Sequence, residues 1–226
     1  MQIRKAYVDI EATYIGEYDP DKDEERDKCF RDYKNWVFST NVEYNGKTIE
    51  YTGIIGILII DFEVDEQTQI HKIINTRFKQ IIGKECTKEN LMKELAGINE
   101  IISYHGRTKS DHRGYVGYDF GVIAANFGIV LDELPNVISI DLELDCHRAG
   151  IYGGLKGAEM QIPMIPPRRS GVADGAEEEA LLYEIAACGD EDKKAELLKK
   201  AKMYNKEDVL ALPIIEKYVR KVKMVG

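Results

Sequence analysis

The chain has 226 residues, of which 44% are hydrophobic and 31% charged, and this composition indicates a soluble globular protein rather than a disordered one. Its formal net charge of −9 argues against a protein that coats nucleic acid non-specifically, although a metal ion in an acidic site would reverse that sign locally. We find no signal-peptide pattern and no apolar run long enough to span a bilayer, so we expect a cytoplasmic protein without membrane contact. The four cysteines form no C-x-x-C pair, which argues against a zinc knuckle or a redox motif.

Hydrophobic and turn patterns predict an α/β chain in which strands come first, helices and strands then alternate, and helices end the sequence. Strands are expected at about 3–10, 53–60, 68–75, 98–106 and 136–144. Helices are expected at about 88–97, 118–128, from 154, and at 175–187, 191–202 and 203–222, with Pro213 kinking or restarting the last. The charged stretch 17–50 carries the hairpin signal Asn45-Gly46 and is interpreted as an insertion in a single domain over 1–226.

The opening stretch "AYVDIEATYIG" at 6–16 places two carboxylates in an apolar strand. Asp9 and Glu11 are at i and i+2, so they project from the same face of that strand. Two like charges this close repel each other and burial adds a further cost, whereas a divalent cation such as Mg²⁺ or Mn²⁺ would remove both penalties. A solvent-facing strand edge without an ion is the alternative interpretation of this pair.

Two later stretches each offer a further carboxylate. In "MYNKEDVLAL" at 203–212, Tyr204 and Asp208 are at i and i+4, so they share a helix face that continues with apolar residues. In "GYDFGVI" at 117–123, Asp119 opens a helix after a strand, where open α/β sheets place their sites. Structural roles stay open for both: a core tyrosine with a locally paired acid, and a carboxylate stabilised by the helix dipole.

Together these stretches resemble the DEDDy group of ribonuclease-H-like 3′→5′ exonucleases, to which polymerase proofreading domains belong. The resemblance lies in the order of D-x-E on the first strand, Y-D at a helix start and Y-x-x-x-D on a late helix, and it covers about 3–11 and 53–220. The segments "SYHGR…GYDFGVI", "DLELDCHR…GGLKGAEMQI" and "EEEALLY…YNKEDVLAL" are similar to further parts of that family. His105 stands where the family has asparagine. The added residues "TKSDHRGYVG" make Asp111 an alternative to Asp119 as a metal ligand. We prefer Asp119, because the "FGVI" that follows Asp119 fits a buried helix.

The resemblance implies a fold, an activity and a set of site residues. The fold would be a ribonuclease H-like mixed five-stranded sheet flanked by helices, with an added hairpin or charged insertion and a helical C-terminal tail. The activity would be hydrolysis of phosphodiester bonds at the 3′ end of DNA or RNA. Two divalent cations, Mg²⁺ or Mn²⁺, would be held by Asp9, Glu11, Asp119 and Asp208, and Tyr204 would orient the attacking water.

Several cations are candidates for contact with the substrate. The resemblance places His105 and Arg107 beside the site, and Lys156 begins a short helix whose N-terminus could face phosphate. For each of the three, a solvated loop cation is the alternative. Arg168-Arg169 is predicted to be ordinary surface charge.

Two other functions stay open on the sequence alone. The first is a catalytically inactive ribonuclease-H-like module that binds nucleic acid or a protein partner. The second is a nuclease of different polarity, or an endonuclease, that uses the same metal site. The presence of all four acids and of Tyr204 argues against the first.

Overall fold

The computed structural model describes residues 1–15, 49–68, 71–106 and 118–223. Within these ranges the strands are β1 (Gln2–Ile15), β2 (Ile49–Val64), β3 (His71–Ile82), β4 (Glu100–Ser103) and β5 (Ile138–Asp141). They form one sheet with the order β3-β2-β1-β4-β5, so the first strand of the chain lies at its centre.

The central strand β1 joins two halves of opposite character. It pairs antiparallel with β2, which pairs antiparallel with β3. It pairs parallel with β4, which pairs parallel with β5. The sheet is therefore mixed, and the predicted α/β class with five strands is confirmed. The isoleucine-rich run of β2 is buried on both faces, as its continuous apolar character predicts.

The helices of the described residues are α1 (Lys88–Glu94), α2 (Asp119–Phe127), α3 (Leu142–Arg148), α4 (Gly154–Gln161), α5 (Gly175–Ala187) and α6 (Glu191–Lys223). Helix α1 begins as predicted, because the Thr87 hydroxyl accepts a hydrogen bond from the Asn90 N–H at 3.2 Å. In the described part of the chain, no helix has the combination of length and apolar character that crossing a bilayer requires.

Three differences between the predicted and the observed elements are the most informative. The strand predicted at 136–144 ends at Asp141, because its carboxylate accepts a hydrogen bond from the Glu143 N–H and caps α3. The strand predicted at 68–75 begins at His71 and continues to Ile82. The hairpin signal at 45–46 and most of the predicted insertion lie outside the described residues.

The third difference is that the helices predicted at 191–202 and 203–222 are one continuous helix, α6, which runs through Pro213. Proline removes one hydrogen bond from a helix interior and clashes with the preceding turn. Tertiary packing compensates here, since α6 is anchored to the sheet on both sides of the proline by buried side chains: Val209, Leu212, Ile215 and Val219.

Helices cover both faces of the sheet, and the alternation along β1 decides which side chain meets which helices. Ala6, Val8 and Ile10 pack on the face covered by α1 and α2. Tyr7 packs on the opposite face, which is covered by α3, α4 and α6. Asp9, the next odd-numbered position after Tyr7, therefore points towards α6.

Helix α6 approaches the sheet closely at Gly56, which is paired with Asp9 across β1 and β2. A Cβ atom at this position would collide with Asn205 Oδ1 and would lie 2.6 Å from Val209 Cγ2. The absence of a side chain at Gly56 thus lets the segment of α6 that carries Asn205 approach β1.

We expect Gly56→Ala to lower the free energy of unfolding by about 1–3 kcal/mol, because the added methyl group pushes α6 away from the sheet. Urea unfolding measures this change. Gly189→Ala is the matched control, since a Cβ there meets nothing within 4 Å, and it should shift stability by less than about 0.5 kcal/mol. Equal losses in the two variants would contradict the role assigned to the close approach.

Candidate metal centre

Three carboxylates from two elements meet on the α6 side of the sheet. Asp9 and Glu11 come from β1, as their i, i+2 spacing predicts, and Asp208 comes from α6. One oxygen of each lies within 4.8 Å of the others, and all three side chains are buried. We call these three residues the carboxylate cluster.

Asn205 holds the β1 side of the carboxylate cluster in position. Its Nδ2 donates to Asp9 Oδ2 at 2.9 Å and to Glu11 Oε1 at 3.4 Å. Its Oδ1 accepts from Gln80 Nε2 of β3 at 2.9 Å, and the whole residue is buried. Sequence reasoning missed Asn205, although its position three residues before Asp208 on the same helix face is a usable signal.

Asp119 reaches the same region from the start of α2. Two backbone hydrogen bonds fix that start against the end of β4: the Tyr118 N–H donates to the His105 carbonyl at 2.6 Å, and the Phe120 N–H donates to the Gly106 carbonyl at 3.1 Å. Asp119 is buried, and its Oδ2 has no hydrogen-bond partner among the described residues. Its side chain is near the carboxylate cluster but is not one of the three within 4.8 Å of one another.

These acids destabilise one another when no cation balances them. Burial raises the pKa of Asp9, and the charge of Asp208 raises it further. Burial likewise raises the pKa of Glu11 and of Asp119, and in both cases Asp9 is the charged neighbour with the largest effect. Burial raises the pKa of Asp208 to about 7, although the positive charge of Arg168 opposes this shift.

The donor set suits the ions that the sequence predicts. All three members of the carboxylate cluster offer oxygen, the ligand that Mg²⁺ and Mn²⁺ prefer. A divalent ion would also relieve the repulsion that raises the pKa values of these groups. The unpartnered Oδ2 of Asp119 is a further oxygen donor in the same region. The residues present therefore fit a site for divalent cations.

Arg168 is part of this centre, and its prediction as surface charge was wrong. Its Nη2 contacts Asp208 Oδ1, and it also donates to Glu159 Oε1 at 2.8 Å, while its Nε donates to Glu159 Oε2 at 2.9 Å. Its guanidinium carbon lies 4.5 Å from the centroid of the Tyr204 ring. The Pro-rich loop at 162–171 carries Arg168 to α6, and nothing in the local sequence indicates that contact.

Glu178 of α5 is an additional buried acid beside the carboxylate cluster. It is 1% exposed, and neither carboxylate oxygen has a hydrogen-bond partner among the described residues. Its charge contributes to the raised pKa of Glu11, while burial and then the charge of Asp208 raise its own pKa to about 8. Sequence reasoning missed it because "EEE" at 177–179 does not reveal which glutamate points inward.

The acids open into a groove of about 510 Å³, which we call the metal groove. Its lining includes Asp9, Glu11 and Asp119 together with His105, one of the predicted substrate residues. His105 Nδ1 lies 2.6 Å from Glu143 Oε2, so the ring is held at the groove by a carboxylate of α3. The structure thus brings His105 to the same groove as three of the acids.

The other predicted residues are distributed as follows. Tyr204 is buried beside the cluster, and burial and the charge of Asp208 raise the pKa of its hydroxyl. Lys156, in the first turn of α4, is near enough to Asp208 for its charge to lower the pKa of that carboxyl. Arg107 and the rival ligand Asp111 lie outside the described residues.

A scan against profiles of protein families finds no match, and searches of curated proteins and of solved structures find none.

We expect the metal-free protein to become less stable between about pH 4 and about pH 8. A carboxyl whose pKa is raised by folding keeps its proton after the unfolded chain has released its own, so the unfolded state gains relative stability as pH rises through this window. The pKa values of Asp208, about 7, and Glu178, about 8, set its upper end. Thermal unfolding in the presence of a chelator measures the trend.

Glu178→Gln should raise the free energy of unfolding by about 1–3 kcal/mol near pH 8 and change it little near pH 5, because glutamine cannot ionise. Glu196→Gln, at an exposed position of α6, is the matched control and should leave the pH dependence unchanged. A Glu178→Gln variant with the wild-type pH dependence would contradict the raised pKa.

Proposed function

We propose that the protein is a metal-dependent 3′→5′ exonuclease that hydrolyses phosphodiester bonds of DNA or RNA with two divalent cations, Mg²⁺ or Mn²⁺. The observation that carries this proposal is the meeting of Asp9, Glu11 and Asp208, from opposite ends of the chain, in one buried group of oxygen donors. Asp119 lies close to that group, and its Oδ2 has no hydrogen-bond partner among the described residues. These acids and Tyr204 have the order expected from the resemblance to the DEDDy exonucleases.

We also propose that the fold is ribonuclease H-like. The support is a sheet of three antiparallel strands followed by two parallel ones, in the order β3-β2-β1-β4-β5, with helices on both faces. In this arrangement the central β1 carries the first two acids. The neighbouring parallel strand β4 leads towards the segment of Asp119.

Around the metal groove, the acids would bind the ions and Tyr204 would position the attacking water. Asp9, Glu11, Asp119 and Asp208 would hold the two ions, which when bound make water more acidic and stabilise charge on the leaving oxygen. A phenol keeps its proton at neutral pH, and burial raises the pKa of Tyr204 further in the metal-free protein, so its hydroxyl is suited to orient a water molecule rather than to act as a general base.

Three cations are available for the phosphate of a substrate. His105 lines the metal groove, and Lys156 is close to Asp208. Arg168 has one unused hydrogen-bond donor, since its Nη1 is buried and has no partner in the described part of the chain. Its Nε and Nη2 are already bound to Glu159 and Asp208, so Arg168 offers phosphate a single hydrogen bond rather than a paired one. His105, which lines the metal groove, is the best placed of the three.

One observation favours a second function, a catalytically inactive module that binds nucleic acid or a protein. Arg168 already neutralises part of the acidic group through its contact with Asp208, as a protein that never binds a metal ion would require. Titration with Mn²⁺ separates the two functions, because the inactive module would bind no ion at this group.

An exonuclease assay tests the proposed activity. With Mn²⁺, the protein should shorten 5′-end-labelled DNA or RNA progressively from the 3′ end. Asp9→Asn, Asp119→Asn and Asp208→Asn should each lower the rate by at least about a hundredfold, since even residues that only orient metal ligands contribute about 10–100-fold. Asp111→Asn is the control and should keep the wild-type rate.

Three results would overturn parts of this proposal. Internal fragments at the first time point would show an endonuclease. Loss of activity in Asp111→Asn but not in Asp119→Asn would reverse the choice of ligand. Absence of both cleavage and Mn²⁺ binding would favour the inactive module.

Arg168→Gln should bind Mn²⁺ about tenfold more tightly than the wild-type protein, because the ion and the guanidinium compete for Asp208. Calorimetry without substrate measures this affinity. Arg169→Gln removes the same charge from the adjacent exposed residue and should change the affinity by less than about twofold. Equal gains in the two variants would mean that long-range charge, rather than the contact with Asp208, controls ion binding.

A further inference from the structure

A second cavity, of about 740 Å³, lies between β2, β3 and the C-terminal part of α6. Lys5 and Tyr7 of β1 reach it, so it lies on the N-terminal side of Asp9 along the same strand. It shares no lining residue with the metal groove. Its volume falls within the range of about 300–1,000 Å³ that is typical of small-molecule sites.

The walls of this cavity are mainly apolar. Ile73 and Met164 leave 56% and 51% of their surface exposed, which is high for large apolar side chains at a concave surface. They stand beside further apolar residues: Ile60, Phe62, Pro213 and Ile214. An apolar ligand would remove this surface from water, which is favourable in proportion to the area buried.

The charge of the lining is opposite to that of the whole chain. Four of its residues are cations, namely Lys5, Lys217, Arg220 and Lys221, and one, Glu216, is an acid. In the whole sequence, by contrast, 40 acids outnumber 31 lysines and arginines. The cavity is therefore a local site of positive charge on an acidic protein, which favours an anionic ligand.

The charged groups at the floor of the cavity already form ion pairs with one another or with a neighbouring glutamate. Lys5 Nζ lies 2.8 Å from Glu216 Oε1 and 2.8 Å from Glu100 Oε2, and the Tyr7 hydroxyl donates to Glu216 Oε2. Arg220 pairs with the same two glutamates. An anion would gain little from these groups, because their charges already balance one another.

The rim, in contrast, has two cations without a counterion among the residues that the structure describes. Lys217 and Lys221 are one turn apart on α6, and neither forms an ion pair with another described residue. Like charges at this spacing repel each other, and an anion between them would relieve that repulsion. The apolar wall and these two lysines lie at the same cavity.

We propose that this cavity binds a small organic anion with an apolar body. The apolar part lies against the wall that includes Ile73 and Met164, and the anionic group lies between Lys217 and Lys221. This site is separate from the metal groove and does not depend on the proposed nuclease activity. The volume of the cavity limits the size of the ligand. Its apolar wall favours an apolar body, and the two lysines at its rim favour a negative charge.

Two fluorescent probes of similar shape test the proposal. Anilinonaphthalene sulfonate carries one negative charge, and N-phenylnaphthylamine is its uncharged counterpart. The full chain should bind both. The double variant Lys217→Glu/Lys221→Glu should weaken sulfonate binding by about tenfold while changing binding of the uncharged probe by less than about twofold. Lys88→Glu/Lys93→Glu, a matched charge reversal on α1, should leave both affinities unchanged.

A second pair of variants locates the apolar part of the site. Ile73→Ser should weaken both probes, whereas Ile74→Ser, at an exposed neighbour that does not line the cavity, should weaken neither. Decanoate should displace the sulfonate probe, and vesicles of anionic lipid should not. Thermal unfolding of each variant verifies that it is folded.

The proposal is overturned if the sulfonate probe does not bind, or if both charge reversals weaken it equally. It is also overturned if the two isoleucine variants behave alike, or if vesicles displace the probe as well as decanoate does. The nuclease proposal is unaffected by these outcomes, since no variant in this set alters a residue of the metal groove.

Discussion

Repulsion among buried carboxylates is the constraint on which the rest of this structure depends. Two unit charges about 4 Å apart repel by about 4 kcal/mol at the effective dielectric constant of a protein surface. Asp9 and Asp208 are held together in spite of this, because α6 packs on the sheet through apolar residues both before and after its segment 204–208. Burial of each large aliphatic side chain contributes about 1.5–3 kcal/mol, so a few such contacts offset the repulsion.

The same packing explains the supporting polar residues. Gly56 removes the side chain that would keep α6 away, and Asn205 then reaches the carboxylate and carbonyl groups of Asp9. Arg168 supplies positive charge to Asp208, held in turn by Glu159. These groups lower the cost of the cluster without abolishing it, since the pKa of Asp208 is still raised.

Helix α6 also links the metal centre to the cavity proposed for an organic anion. Its residues Tyr204, Asn205 and Asp208 belong to the metal centre, and six of its residues between 213 and 221 line that cavity. Along β1 the same division holds, with Lys5 and Tyr7 at one cavity and Asp9 and Glu11 at the other. A helix broken at Pro213 would uncouple these positions, so the continuity of α6 matters for both.

The sequence by itself determined the α/β class, the positions of most elements, and the acids of the candidate site. Periodicity indicated the elements and the faces that residues share, because the faces of a strand or a helix follow from spacing along the chain. Asp9 with Glu11, and Tyr204 with Asp208, were predictable in this way. The resemblance to the DEDDy exonucleases, rather than spacing, implied that the acids belong to one site. Only the tertiary structure decided that Arg168, Asn205 and Glu178 join them, and that residues 191–223 form one helix. Such contacts depend on the path of loops and on packing between distant segments, which no local pattern encodes.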